Sequence, residues 1–288
     1  MRQRRLVLFA AGTALLLAVP AAVPAAGVKA GSYTGGALRE QPALAYVLVK
    51  PGADELDALV HARAECEGYD LPLQATASFR DVAFDEDGVV AARKAIADTA
   101  VGPDGRQARE EGEATLDLAL APDGTADGFF RLRSTFTDVQ TGEQVAQCDT
   151  GVVEFSVAGV PKTAGEGRAR KPKRGGTYLG VVNAYPLVAD VRRSGRIEEM
   201  AFLYRSRCQN LQRIVFVPTI TPSRKGAFRV RGTQQLFTRE GSVESVTFRM
   251  TGRYGRDGGL RGTLRVQGEL DGASCDTGAL AWRAARIP

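Results

Sequence analysis

The tetrapeptide Cys-Asp-Thr-Gly stands at residues 148–151 and again at 275–278, 127 residues further on. It does not recur alone. Gly31-Ser32-Tyr33-Thr34-Gly35 has a counterpart in Gly176-Thr177-Tyr178-Leu179-Gly180. The stretch ELDALVHARAEC ends at Cys66, and RIEEMAFLYRSRC ends at Cys208. GFFRLR (128–133) matches GTLRVQ (262–267), and VVEFSVA after the first CDTG matches ALAWRAA after the second. Five similarities in one order argue for a tandem duplication. The copies cover about 30–160 and 175–288, each of ordinary domain size. A fold for this chain must therefore be one that a single copy closes by itself.

Within a copy the apolar period is two. Ala58, Val60, Ala62, Ala64 and Cys66 share one face, with Asp57, Leu59, His61, Arg63 and Glu65 on the other. Met200, Phe202, Tyr204, Ser206 and Cys208 repeat that inner face. This alternation marks half-buried antiparallel strands. Turn-forming stretches such as DEDG, APDG, SRKG and GRDGG separate the runs. The reading is an all-β chain of two meander domains, each a small barrel or sandwich of seven to eight strands, closed so as to hide its edges. Residues 89–114 do not fit the pattern; they read as a segment with a helix or a mobile loop.

Three cleavage points, after Ala25, Ala26 or Ala30, suit the N-terminus. Arg2, Arg4 and Arg5 precede an uncharged run from Leu6 to Val19 and then PAAVPAAG. That is a secretory signal peptide over 1–26, too short to span a bilayer. An acidic β repeat (27–162), a basic flexible linker (163–176) and a basic β repeat (177–288) follow, with no transmembrane segment in the mature chain. The expected location is secreted, extracellular or on the cell envelope. Cys66, Cys148, Cys208 and Cys275 all lie in the exported part, where an even count means disulfides. Of three connectivities, repeat symmetry selects Cys66–Cys148 and Cys208–Cys275, one bridge per domain.

The pattern G-x-Y-x-G, G-T-L-R, C-x-T-G and W-x-A resembles that of uncharacterised exported β-repeat proteins of high-GC Gram-positive bacteria. Copy two carries it as Gly262-Thr263-Leu264-Arg265, Cys275, Thr277-Gly278 and Trp282-Arg283-Ala284; copy one has Phe155 for the Trp. The opening G-x-Y-x-G also resembles the G-x-W start of lipocalin- and avidin-like meander barrels. These resemblances imply a barrel and an exported location, and no activity.

Two D-T-G triplets in an all-β secreted chain invite comparison with pepsin-like aspartic proteases, in which Asp149 and Asp276 would share a proton. The placement argues against a catalytic role. Both triplets follow Cys and end their copies, and only 10 residues follow Gly278. The alternative is a turn or bulge, with Asp and Thr side chains bonding backbone N–H groups and Gly supplying positive φ. The single His61 reads as a surface residue and Trp282 as core. No metal, cofactor or catalytic constellation is visible.

Charge is distributed unevenly. Residues 27–162 carry 12 basic and 23 acidic side chains, and residues 163–288 carry 23 and 10. Such asymmetry points to a polyanion partner or to mutual docking. The abundance of Arg reads as the codon bias of a GC-rich genome and argues little for nucleic acid. The candidate anion-binding residues are Arg168, Arg170, Lys171, Lys173, Arg174, Arg192, Arg193 and Arg196. The expected function is a non-catalytic binding or adhesion module whose basic second repeat contacts an anionic wall polymer or phospholipid surface. The alternative is a self-docking structural protein held by opposite-charge repeats.

Overall fold

A computed structural model describes residues 27–38, 42–52, 54–67, 73–101, 106–160, 175–205, 212–237, 243–270 and 273–287. The segment read as a signal peptide and most of the linker lie outside these residues. All regular elements among them are β-strands, and no helix there is long and apolar enough to cross a membrane.

The first sheet contains β1 (Gly31–Ala37), β2 (Ala43–Val49), β3 (Glu55–Cys66), β4 (Leu73–Ala83), β5 (Val89–Val101), β6 (Gln107–Leu120), β7 (Thr125–Asp138), β8 (Gln144–Asp149) and β9 (Val153–Gly159). The second contains β10 (Gly176–Val182), β11 (Tyr185–Val191), β12 (Ile197–Arg205), β13 (Gln212–Val217), β14 (Ala227–Phe237), β15 (Val243–Tyr254), β16 (Leu260–Leu270), β17 (Ala273–Asp276) and β18 (Leu280–Arg286). The strand order is β4-β3-β2-β1-β9-β7-β6-β5 in one and β13-β12-β11-β10-β18-β16-β15-β14 in the other, all antiparallel. Nine strands per sheet exceed the seven or eight expected, because the CDTG turn cuts one strand in two.

The first sheet closes on itself. β8 continues the line of β9 along β7 and also pairs with β3 at Glu65–Asp149 and Cys66–Cys148. A hydrogen-bonded ring β1-β2-β3-β8-β7-β9 results. The expected disulfide joins Cys66 to Cys148 at this seam. It is the one disulfide seen among the described residues; the partner expected for Cys275 is Cys208, which lies outside them.

Residues 89–101 and 107–114 correct the expectation of a helix or loop, while 102–105 lie outside the described residues. The described stretches form β5 and the first half of β6, paired from Val89–Ala119 to Val101–Gln107. Ala, Arg and Lys favour helices by intrinsic propensity, but the cross-strand ladder and the burial of Val90 override it.

Side chains fill both interiors. Tyr33, Phe79, Phe130 and Phe155 pack among Ala, Val and Leu in the first. The second is richer in aromatics: Tyr178 meets Tyr254 edge-on at 6.4 Å and Phe202 meets Phe248 at 6.5 Å. Trp282 is core, as expected, and its indole N–H donates to Thr251 O at 3.1 Å. The second glycine of each G-x-Y-x-G is required by close approach. A Cβ would lie 2.0 Å from Ser156 O at Gly35 and 1.9 Å from Arg283 O at Gly180.

The two sheets touch through apolar side chains on their outer faces. Leu44 of β2 packs with Leu179, Val188, Ala201, Leu203 and Ile214 of β10 to β13. His61 corrects a second expectation. It does leave its own core, yet it is only 2% exposed. Its Nδ1 lies 2.8 Å from the Thr76 hydroxyl and 3.2 Å from the Gln74 amide nitrogen. Gln74 Oε1 in turn accepts a 3.4 Å hydrogen bond from Ile214 N of the second sheet.

Candidate anion-binding face

Strands β14, β15, β16 and β18 are amphipathic with period two. Phe228, Val246, Phe248, Met250, Tyr254, Leu260, Leu264, Val266 and Trp282 point into the core. The intervening positions face outward, and register brings their arginines together. Arg231 stands opposite Arg249, and Arg249 opposite Arg265. Four residues along β15, Arg253 stands opposite Arg261, and Arg261 opposite Arg283. Between the two rows lie Arg229, Thr251 and Thr263.

Neighbouring strands are about 4.8 Å apart and Cβ atoms of opposed residues about 5 Å apart. The row spacing of four residues is about 13 Å. Like charges directly opposite one another destabilise a sheet, so this face works against the fold that carries it. Arg229, Arg231, Arg249 and Arg253 are exposed and make no ion pair among the described residues. Arg265 does: it grips Asp276 through both Nε and Nη2.

The equivalent outer positions of the first sheet do not repeat the rows. Arg93, Thr115 and Arg131 stand where the second sheet has Arg231, Arg249 and Arg265, and the acidic residues of that face lie mostly between and beyond them. Glu111, Glu113 and Asp117 of β6, Asp127 of β7 and Glu154 of β9 are on that face. The Asp127–Ser156 pair occupies the ladder position that Arg261–Arg283 holds in the second sheet. The outer face of the first sheet is thus mixed in charge, with Arg93, Arg131 and Arg133 among its carboxylates, whereas that of the second is strongly basic.

Of the expected anion-binding residues, Arg168, Arg170, Lys171, Lys173 and Arg174 lie outside the described residues. Arg192, Arg193 and Arg196 stand on the β11–β12 turn, where Arg192 pairs with Glu198 and the other two are exposed. The Tyr254 hydroxyl donates to Gly195 O in that turn, which places it at the Arg253 end of β15. The arginine face itself is absent from the sequence expectations. Its signal is the shared odd parity of Arg229, Arg231, Arg249, Arg253, Arg261, Arg265 and Arg283 across four strands, and it needs the strand register to be read.

The two CDTG turns have one geometry. Thr150 N donates to Leu132 O and Leu132 N to Thr150 Oγ1, 2.9 Å. Thr277 and Val266 repeat the exchange. Gly151 and Gly278 both sit at φ 65°, where a side chain would be strained, and each donates its N–H to the nearby Asp. Arg131 holds Asp149 through two hydrogen bonds, 3.1 and 2.7 Å, with Arg133 adding a third. Each carboxylate is thereby spent on its own sheet's turn.

These contacts set a pH response. The Arg131 guanidinium beside Asp149, and that of Arg265 beside Asp276, hold both carboxyls below the usual carboxylate range, and the Gly N–H groups add to the effect. A depressed folded pKa gives stability that is complete above the unfolded value, about 3.9, and is lost as pH falls through the folded one. The parent should lose stability below about pH 4, and Asp149→Asn with Asp276→Asn should flatten that loss. Unfolding curves between neutral and strongly acidic pH check this; an unchanged slope in the double variant contradicts it.

No family model matches the chain, and no curated protein matches it. Among solved structures, the crystal structure of kievitone hydratase from Nectria haematococca is similar at 10% identity, covering 89% of each chain with a TM-score of 0.20.

Proposed function

We propose that the chain is an exported, non-catalytic binding module whose arginine face contacts an anionic polymer of the cell envelope. The observation that carries this reading is the registered pair of rows, Arg231–Arg249–Arg265 and Arg253–Arg261–Arg283. Arginine presents five donors in a rigid fork suited to phosphate and carboxylate. The forks of Arg229, Arg231, Arg249 and Arg253 meet no carboxylate among the described residues. The interiors are filled, so the outer surfaces carry the recognition. Repulsion among the arginines is relieved when polyanion charges lie between them, and binding then recovers what the fold loses.

The test is retention on isolated cell envelopes. The protein should sediment with them at low ionic strength and be released at roughly 0.5 M NaCl, where the screening length falls to a few ångströms. Failure to sediment at low salt overturns the reading. Salt-sensitive oligomers without envelope binding would favour the self-docking alternative, with the acidic repeat of one molecule against the basic repeat of the next. The two sheets of a single chain meet through Leu44, Leu179 and Leu203, which leaves Arg229, Arg231, Arg249 and Arg253 exposed.

A further inference from the structure

A cleft of about 940 Å³ opens between the two sheets, and none of the anion-binding arginines lines it. The first sheet contributes Asp127, Phe129, Val152 and Glu154 to it, and the second contributes Asp190 and Ile287. Among the described residues no Lys or Arg lines it. Its volume falls in the range typical of small-molecule sites.

Phe129 is the feature that needs explaining. Its neighbours two positions either way in β7 also point outward and are polar: Asp127 and Arg131. Yet Phe129 is an aromatic ring left 47% exposed, beside Val152 at 57%. Register sets it directly between two carboxylates, Asp117 on β6 and Glu154 on β9. A ring face attracts cations through its quadrupole, and flanking carboxylates add to that attraction. An anion would be repelled by Asp127, Glu154 and Asp190, the charged side chains among the described lining residues. A neutral ligand would gain from Phe129, Val152 and Ile287 and would leave the acidic groups unused.

We infer that the cleft binds an organic cation with an apolar body, of the alkylammonium class. The ammonium rests on the Phe129 ring beside Glu154, and the hydrocarbon lies along Val152 and Ile287. This ligand and this surface are independent of the polyanion and the arginine face.

Calorimetric titration of the full chain with octyltrimethylammonium, below its micelle concentration, tests the assignment, with octyl glucoside as the neutral control. The expected result is saturable one-to-one binding of the cation, about tenfold tighter than the glucoside. Phe129→Ala and Glu154→Gln should each weaken it about three- to fivefold. Both side chains are exposed, so neither change endangers the fold, and circular dichroism verifies that. Arg249→Glu should leave cation binding in place. Equal binding of the glucoside overturns the inference, and so does unchanged affinity in both cleft variants. Either result leaves the arginine face untouched, since that face is read by envelope retention.

Discussion

Replacing Cys66 and Cys148 together by serine should lower the free energy of unfolding by about 4–5 kcal/mol. The bridge spans 82 residues, and loop-closure entropy rises with that span. The loss falls on a weak seam. Without the bond, β8 is tied to the end of β3 by the Glu65–Asp149 and Cys66–Cys148 ladder positions and by a 2.9 Å hydrogen bond from Glu67 N to Gln147 O. The apolar cluster over the seam is small: Ala64, Ala108, Phe136 and Ala146 surround the two sulfurs. Denaturant unfolding of the double-serine variant measures the effect, and hydrogen exchange should show β8 opening before the rest of the sheet. A loss under about 1 kcal/mol would mean that side-chain packing alone holds the ring, contrary to this account.

The second large effect concerns Arg249 and Arg253. Changing both to glutamate should cut binding to an anionic polymer by about a hundredfold at low salt, some 3 kcal/mol at about 1.4 kcal/mol per tenfold. The fold should not suffer. The carboxylate introduced by Arg249→Glu would stand between Arg231 and Arg265, turning like-charge pairs into opposite-charge ones worth about 0.2–1 kcal/mol each. Stability and binding should therefore move in opposite directions. A merely structural role for these arginines predicts that they move together or that binding does not change. Chemical unfolding and envelope sedimentation on the same preparation decide between the two.

Much of the architecture is legible in the chain, because it depends on short-range rules. Alternation at Ala58 to Cys66 shows an inner face, and all of Ala58, Val60, Ala62, Ala64 and Cys66 are buried. The Asp-Thr-Gly turns follow from the bonding habits of their side chains. What the sequence hides depends on long-range placement. His61 and Leu203 occupy outward positions that look solvated until a second sheet covers them. Residues 89–101 have helix-favouring composition, and only the pairing with β6 makes them a strand. The arginine rows are scattered along the sequence from Arg229 to Arg283 and become one surface only when four strands are set side by side. Charge totals reveal that the second half is basic, but dense runs such as RARKPKR stand out in a linear reading, and charges spaced by two and four do not.

The apolar seam between the sheets has one more consequence. Leu44 and Ala158 on one side, and Leu179, Val188 and Leu203 on the other, are hidden only because both halves belong to one molecule. Either half expressed by itself would present a greasy flank to water. It would clump or pair with its own kind, so despite their shared strand order the halves are not interchangeable building blocks and must travel as one polypeptide.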